Sequence, residues 1–191
     1  MLSFAENLEN GKAGESAIAK WLIRRGYAVL PVYEKILDDG KGPQLYTGGG
    51  GLVAPDLLAM KNRNILWFEA KHKTAFSWHR ITNRWVTGID FRHYREYIKI
   101  KNITSYPIWV LFLHKGGQAK DSPPNSPAGL FGNELNVLMR NENHRHDNWG
   151  RTGMVYWARE IDGGGLKKLA EYYEVLSINN GFQHLTTHGS Q

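Results

Sequence analysis

Cysteine is missing from all 191 residues, which removes disulfides, thiolate nucleophiles and Cys-ligated zinc or iron–sulfur centres from consideration. Any metal must then be held by Asp, Glu, His, backbone carbonyls or water, a donor set that suits Mg²⁺ or Mn²⁺. Long apolar runs are missing too, and none approaches the roughly 20 residues needed to span a bilayer. The first residues, MLSFAENLENGKAGE, lack the basic-then-apolar pattern of a secretory signal. Together these absences lead to the expectation of a soluble cytoplasmic protein with no membrane partner. No glycine-rich phosphate loop follows the first strand candidate, which argues against a doubly wound nucleotide-binding fold. No repeat or linker divides the chain, so one domain is expected over residues 1–178, with a frayed tail at 179–191.

What is present is ordinary in amount and uneven in placement. A hydrophobic fraction of 41% with 22% charged residues fits a globular domain. The formal charge of +6 permits binding to a phosphate backbone without demonstrating it. Between Lys61 and Lys115 basic side chains greatly outnumber acidic ones, with Trp78, Trp85, Tyr94 and Tyr97 among them. Bases and backbone are contacted by such mixtures of aromatic and basic residues.

Ser3 and Glu6 have capping-box spacing, and Leu8, Ala13, Ala17, Ile18, Trp21, Leu22 and Ile23 recur on one helical face. Gly11 and Gly14 weaken the first turns, and Gly26 is a natural stop. Tyr27 to Tyr33 reads as the first strand, followed by a polar, glycine-rich connection from Glu34 to Gly51, either a flap beside a cleft or a surface loop. Leu52 to Met60 and Ile65 to Lys71 read as strands joined by the turn KNRN, an antiparallel hairpin. WHRITNRWVTG has mixed character, Asp90 to Ile100 reads as a helix, and Pro107 introduces the buried strand IWVLFLH. GGQAKDSPPNSPAGLFG reads as a loop, Leu135 to Met139 as a short apolar segment, Met154 to Ala158 as an edge strand and Leu166 to Leu176 as a final amphipathic helix. The order suits an α/β domain with a mixed central sheet flanked by helices.

Chemistry concentrates at the end of the most apolar strand. Glu69 and Lys71 are two apart and emerge on one side of it, while Ala70 faces the other layer. Ionised groups beside so apolar a run are costly unless paired or metal-bound. Asp56 follows Pro55 on the neighbouring strand candidate, and hairpin pairing would bring its carboxylate beside Glu69. A divalent cation relieves the repulsion between two such carboxylates, holds water and polarises a phosphoryl oxygen. Lys71 would orient the attacking water or stabilise charge developing on the phosphate. The bland alternative is a surface Asp and an ordinary Glu–Lys pair, since an E-x-K triplet alone is a weak signal.

The segments VAPDLLAM and ILWFEAKHK resemble the signature of the PD-(D/E)XK nuclease superfamily, which includes archaeal-type Holliday junction resolvases and many restriction endonucleases. The resemblance covers about Gly11 to Leu113 and implies a restriction-endonuclease-like three-layer core. It implies Asp56 and Glu69 as metal ligands, the Ala70 carbonyl as a further ligand and Lys71 as the catalytic lysine. Many members carry a Glu on the first helix in a G-x-x-G-E-x-x-A pattern; Gly11 to Ala17, with Ala17 two residues after Glu15, resembles it, which makes Glu15 an additional candidate ligand. Some relatives have a Gln-x-x-x-Tyr pair on the helix after the catalytic strand; His93 and Tyr97 have that spacing here, with histidine in place of glutamine.

Lys73, Arg80 and Arg84 are candidate phosphate contacts, each otherwise a solvated surface residue. His72 should point away from the acidic pair. His144 to Asp147 reads as an exposed loop rather than a zinc tract. The leading expectation is a Mg²⁺- or Mn²⁺-dependent deoxyribonuclease, an endonuclease with junction or branched DNA as candidate substrate and a homodimer where two symmetric cuts are needed. The alternatives are a metal-dependent DNA exonuclease, a catalytically silent nucleic-acid-binding protein on the same fold, and an unrelated α/β protein.

Overall fold

The protein is described by a computed structural model covering residues 4–32, 43–146, 153–160 and 164–177, with the side chains of 4–10 excepted. The Ser3/Glu6 capping box, the first half of the connection after the first strand, and the tail lie outside the described residues. Helix α1 runs from Phe4 to Arg24 without a break at Gly11 or Gly14. It ends where Gly26 takes φ +83°. Tyr27 N–H donates to the Leu22 carbonyl and Gly26 N–H to that of Ile23, a Schellman closure. The buried face, Ala17, Ile18 and Leu22, packs on Phe68 and Ala70.

The chain continues through β1 (Ala28–Pro31), β2 (Gln44–Thr47), β3 (Gly50–Val53), β4 (Leu57–Lys61), β5 (Asn64–Lys73), β6 (Ser77–His79), β7 (Arg84–Asp90), α2 (Phe91–Thr104) and β8 (Ile108–Lys115). Then come β9 (Ala128–Glu134), α3 (Leu135–Arg140), β10 (Glu142–His146), β11 (Met154–Ala158), β12 (Lys167–Ala170) and α4 (Tyr172–Leu176). Six strands form the central sheet in the order β1-β4-β5-β8-β9-β12. Only β5 and β8 run parallel in it, because the segment joining them crosses over through α2. Helices α1 and α4 cover one face. The other face carries α2, α3 and a second, antiparallel sheet ordered β10-β11-β7-β6. This is the expected α/β architecture, a mixed central sheet between helical layers.

Several elements differ from the sequence reading. The strand expected over Leu52 to Met60 is broken at Ala54-Pro55-Asp56 into β3 and β4; proline cannot donate to a ladder. Part of the expected glycine-rich loop is the β2–β3 hairpin. The mixed segment WHRITNRWVTG is the β6–β7 hairpin. Strand β9 occupies the end of the presumed Gly/Ser/Pro loop, because its glycines serve close packing: a Cβ at Gly132 would lie 2.5 Å from the Val110 carbonyl oxygen. His144 and its neighbours form strand β10 and not a loop, and β11 is internal between β10 and β7 instead of an edge. The presumed last helix is split. Lys167–Ala170 pairs with β9, and only Tyr172–Leu176 is helical, closed by a Glu171/Glu174 capping box.

Candidate active site

Register places the acidic pair. Leu57 pairs with Phe68, so Asp56, one residue before β4, stands opposite the Glu69 end of β5. Its carboxylate accepts a hydrogen bond from the Ala70 N–H at 2.9 Å. The Lys71 ammonium contacts Glu69 directly and lies 3.8 Å from Asp56 Oδ2. Three charges are thus gathered at one strand end, and Glu69 is only 1% exposed.

The second helix closes this cluster from the side. Asp90 caps α2 by accepting from Arg92 N–H at 2.7 Å, which starts the helix directly after β7. Tyr97, one turn past His93 on α2, is buried, with its hydroxyl close enough to Glu69 to feel the charge of that carboxylate. Burial first, then the charges of Glu69 and Asp56, push that hydroxyl's pKa well above its ordinary value, so it remains a donor. His93 is half-buried, its ring 6.2 Å from that of Tyr97. Tyr97 therefore lies on the buried side of Glu69, while His93 lies nearer the surface.

Electrostatics reflect crowding. Burial, then Glu69, push the Asp56 carboxyl up to about 8, against the opposing pull of Lys71 and the Ala70 N–H. Burial alone would lower the Lys71 pKa, but Glu69 and Asp56 outweigh it and raise the net value. Glu15, on α1, is raised by burial, with Lys71 opposing and Glu69 reinforcing; it stands within electrostatic reach of the cluster. Its placement depends on Gly14, whose missing Cβ would lie 2.2 Å from His72 Cβ. That contact lets α1 settle onto β5. His72 faces this layer as expected, its ring near Tyr172.

The remaining candidates separate in space. Lys73 lies two residues on from Lys71 and is half-buried; desolvation, then Lys71, lower its pKa. Arg80 sits at the tip of the β6–β7 hairpin in an exposed 3.6 Å pair with Asp121. Arg84 is exposed and lines a cleft of about 400 Å³ with Arg140, Asn141 and Asn143. Arg140 was not singled out from the sequence, where nothing marks it as a neighbour of Arg84. Nor was His114, fully buried against Phe76 and paired in register with Lys73.

The donor set suits a hard divalent cation in kind: two adjacent carboxylates, with neither Glu69 oxygen in a hydrogen bond of full geometry and Asp56 held against ionisation. A third carboxylate does not close the set. Among the described residues no three His, Asp or Glu side chains form a metal-binding group, so Glu15 stands outside ligand geometry here.

No protein-family profile and no curated protein matches the sequence. Among solved structures, Hjc from Archaeoglobus fulgidus, a Holliday junction resolvase from an archaeal hyperthermophile, is similar with a TM-score of 0.43 and 10% identity, over 75% of this chain and 86% of that one. No described helix is long and apolar enough to cross a membrane.

Proposed function

We propose that the chain is a metal-dependent deoxyribonuclease, an endonuclease acting on branched DNA, with Asp56, Glu69 and Lys71 at its centre. The observation that carries this reading is the buried Glu69 carboxylate meeting Asp56 and the Lys71 ammonium at one strand end. Such an arrangement is costly for stability alone, and the same three groups serve phosphodiester hydrolysis. Asp56, Glu69 and the Ala70 carbonyl would hold Mg²⁺ or Mn²⁺, with Glu15 nearby. The cation, when bound, supplies Lewis-acid polarisation at phosphorus.

The chain's own groups have separable tasks. Lys71, kept charged by the two carboxylates, directs an N–H toward the phosphate oxygen that gains charge as phosphorus becomes five-coordinate. Tyr97, buried beside Glu69, would donate to that carboxylate and orient it. The Ala70 N–H holds Asp56. Lys73, Arg80 and Arg84 supply backbone-phosphate contacts, and the half-buried His93 would contact an adjacent phosphate. Binding to DNA is the partner relationship this implies; two symmetric cuts in a junction require two copies of the site and hence a homodimer.

The test is cleavage of labelled linear duplex, single-stranded, flap and four-way-junction DNA in Mg²⁺, Mn²⁺ and EDTA. Cutting in either metal, absent in EDTA and reduced at least about 100-fold in Asp56→Asn and Lys71→Ala, is expected, with the junction preferred. Folded protein that binds DNA in metal but cuts none of these substrates refutes the reading and leaves a binding role.

A further inference from the structure

Ile81 is 87% exposed, more than any other large apolar side chain described. It occupies the four-residue tip Arg80-Ile81-Thr82-Asn83 of the β6–β7 hairpin. A tip needs no side chain of this kind; turn chemistry favours Gly, Asn or Asp there. Single exposed apolar residues are common on protein surfaces, so exposure is only the starting point.

The tip is braced rather than loose. Trp78 and Trp85 meet edge to face at 5.2 Å across the hairpin. His79 bonds Thr82 through Nδ1 at 2.8 Å and stacks at 3.9 Å on His144, which stacks on Tyr156 at 4.5 Å. The Asn143 amide donates to Thr82 Oγ1 at 3.2 Å. These contacts fix the backbone around Ile81 while leaving its side chain in solvent. Cations flank it: Arg84 is exposed, and among the described residues Arg80 is held by an exposed 3.6 Å pair with Asp121, a contact weak enough to yield to phosphate.

A rigid apolar tip between two arginines is complementary to a polyanion with apolar layers at its centre. The geometry points to Ile81 as a wedge that enters between two base pairs of duplex DNA and unstacks one step, with Arg80 and Arg84 on the flanking phosphates. Apolar residues inserted in this way bend the duplex and expose its backbone. Ile81 lies ten positions after Lys71, which keeps the two within about 35 Å. At about 3.4 Å per base pair, the opened step falls within one helical turn of the cut. This inference rests on the nuclease reading only for its DNA partner.

The test walks 2-aminopurine along one arm of a four-way junction and along a linear duplex, bound by the full chain with Ca²⁺ replacing Mg²⁺. One step is expected to brighten with the wild-type protein, to stay dark with Ile81→Ala and to brighten again with Ile81→Leu. In Mg²⁺ the Ile81→Ala protein should cut the paired substrate about 10- to 100-fold more slowly, the factor that opening one base step represents, and an abasic gap at that step should restore the rate. DNA binding by the wild type with no brightened step, or equal brightening by Ile81→Ala, overturns the wedge even if the DNA is cut. Brightening that depends on Ile81 without any cutting keeps the wedge and removes the nuclease reading. No binding to DNA overturns both.

Discussion

At the residue scale the cluster at Asp56, Glu69 and Lys71 is costly to the fold. Asp56 is held against ionisation by burial and by Glu69, so the native fold carries the strain of two carboxylates with one ammonium between them. Asn at position 56 keeps an oxygen for the Ala70 N–H, which now binds Asp56 at 2.9 Å, and removes the repulsion. Asp56→Asn should therefore stabilise the metal-free protein by about 1–2 kcal/mol, or about 2–8 °C in Tm, while abolishing cutting. Lys71→Ala should do the opposite to stability, costing a few kcal/mol, because it strips the counter-charge from the buried Glu69. Thermal unfolding in EDTA reads both signs, and a loss of stability in Asp56→Asn would contradict the balance described.

At the element scale, legibility followed burial. β5 and β8 were visible because continuous apolar runs have few other fates, and the E-A-K triplet stood out against one of them. Tyr97 had the right spacing from His93, yet its contact with Glu69 depends on how α2 seats over the sheet, which one strand's sequence does not encode. β9 and β10 were hidden for physical reasons: the first uses glycine where strands meet closely, and the second is a polar outer strand. Leu166 and Ala170 are both buried and four apart, a helical spacing that the β9 ladder overrides. The two glycines of α1 looked alike in sequence and are not alike in place. A Cβ at Gly11 meets nothing within 4 Å, whereas one at Gly14 strikes His72 Cβ. Gly11→Ala should then stabilise the protein by about 0.5–1 kcal/mol. Gly14→Ala should destabilise it by about 1–3 kcal/mol through overpacking and lower activity by moving Glu15 off the cluster. Equal effects of the two substitutions on unfolding and on cleavage would show that α1 does not rest on β5 through this contact.

At the scale of the whole molecule, the two sheets and α2 enclose the larger of two cores, and His114 stands against it where β8 passes β5. Its ring is stacked 3.7 Å from Phe76 and edge-on to Phe131. Burial, then the charges of Lys73 and His72, push its pKa down to about 3, against a weak opposing contact with the Ala75 backbone. An unfolded chain carries this histidine at its ordinary value of about 6.5. Between about 6.5 and about 3 the unfolded state therefore binds a proton that the folded state refuses, and stability must fall as pH falls through that window. Above it both states are neutral and the contribution is complete. The loss is on the order of a few kcal/mol, a large share of a typical domain's stability. His114→Gln, which cannot titrate, should cost stability at neutral pH through lost stacking but flatten the decline between pH 6.5 and 4. Denaturant unfolding at successive pH values measures the slope. If wild type and variant lose stability in parallel, the protons taken up on acid unfolding go elsewhere, and His114 is charged within the fold.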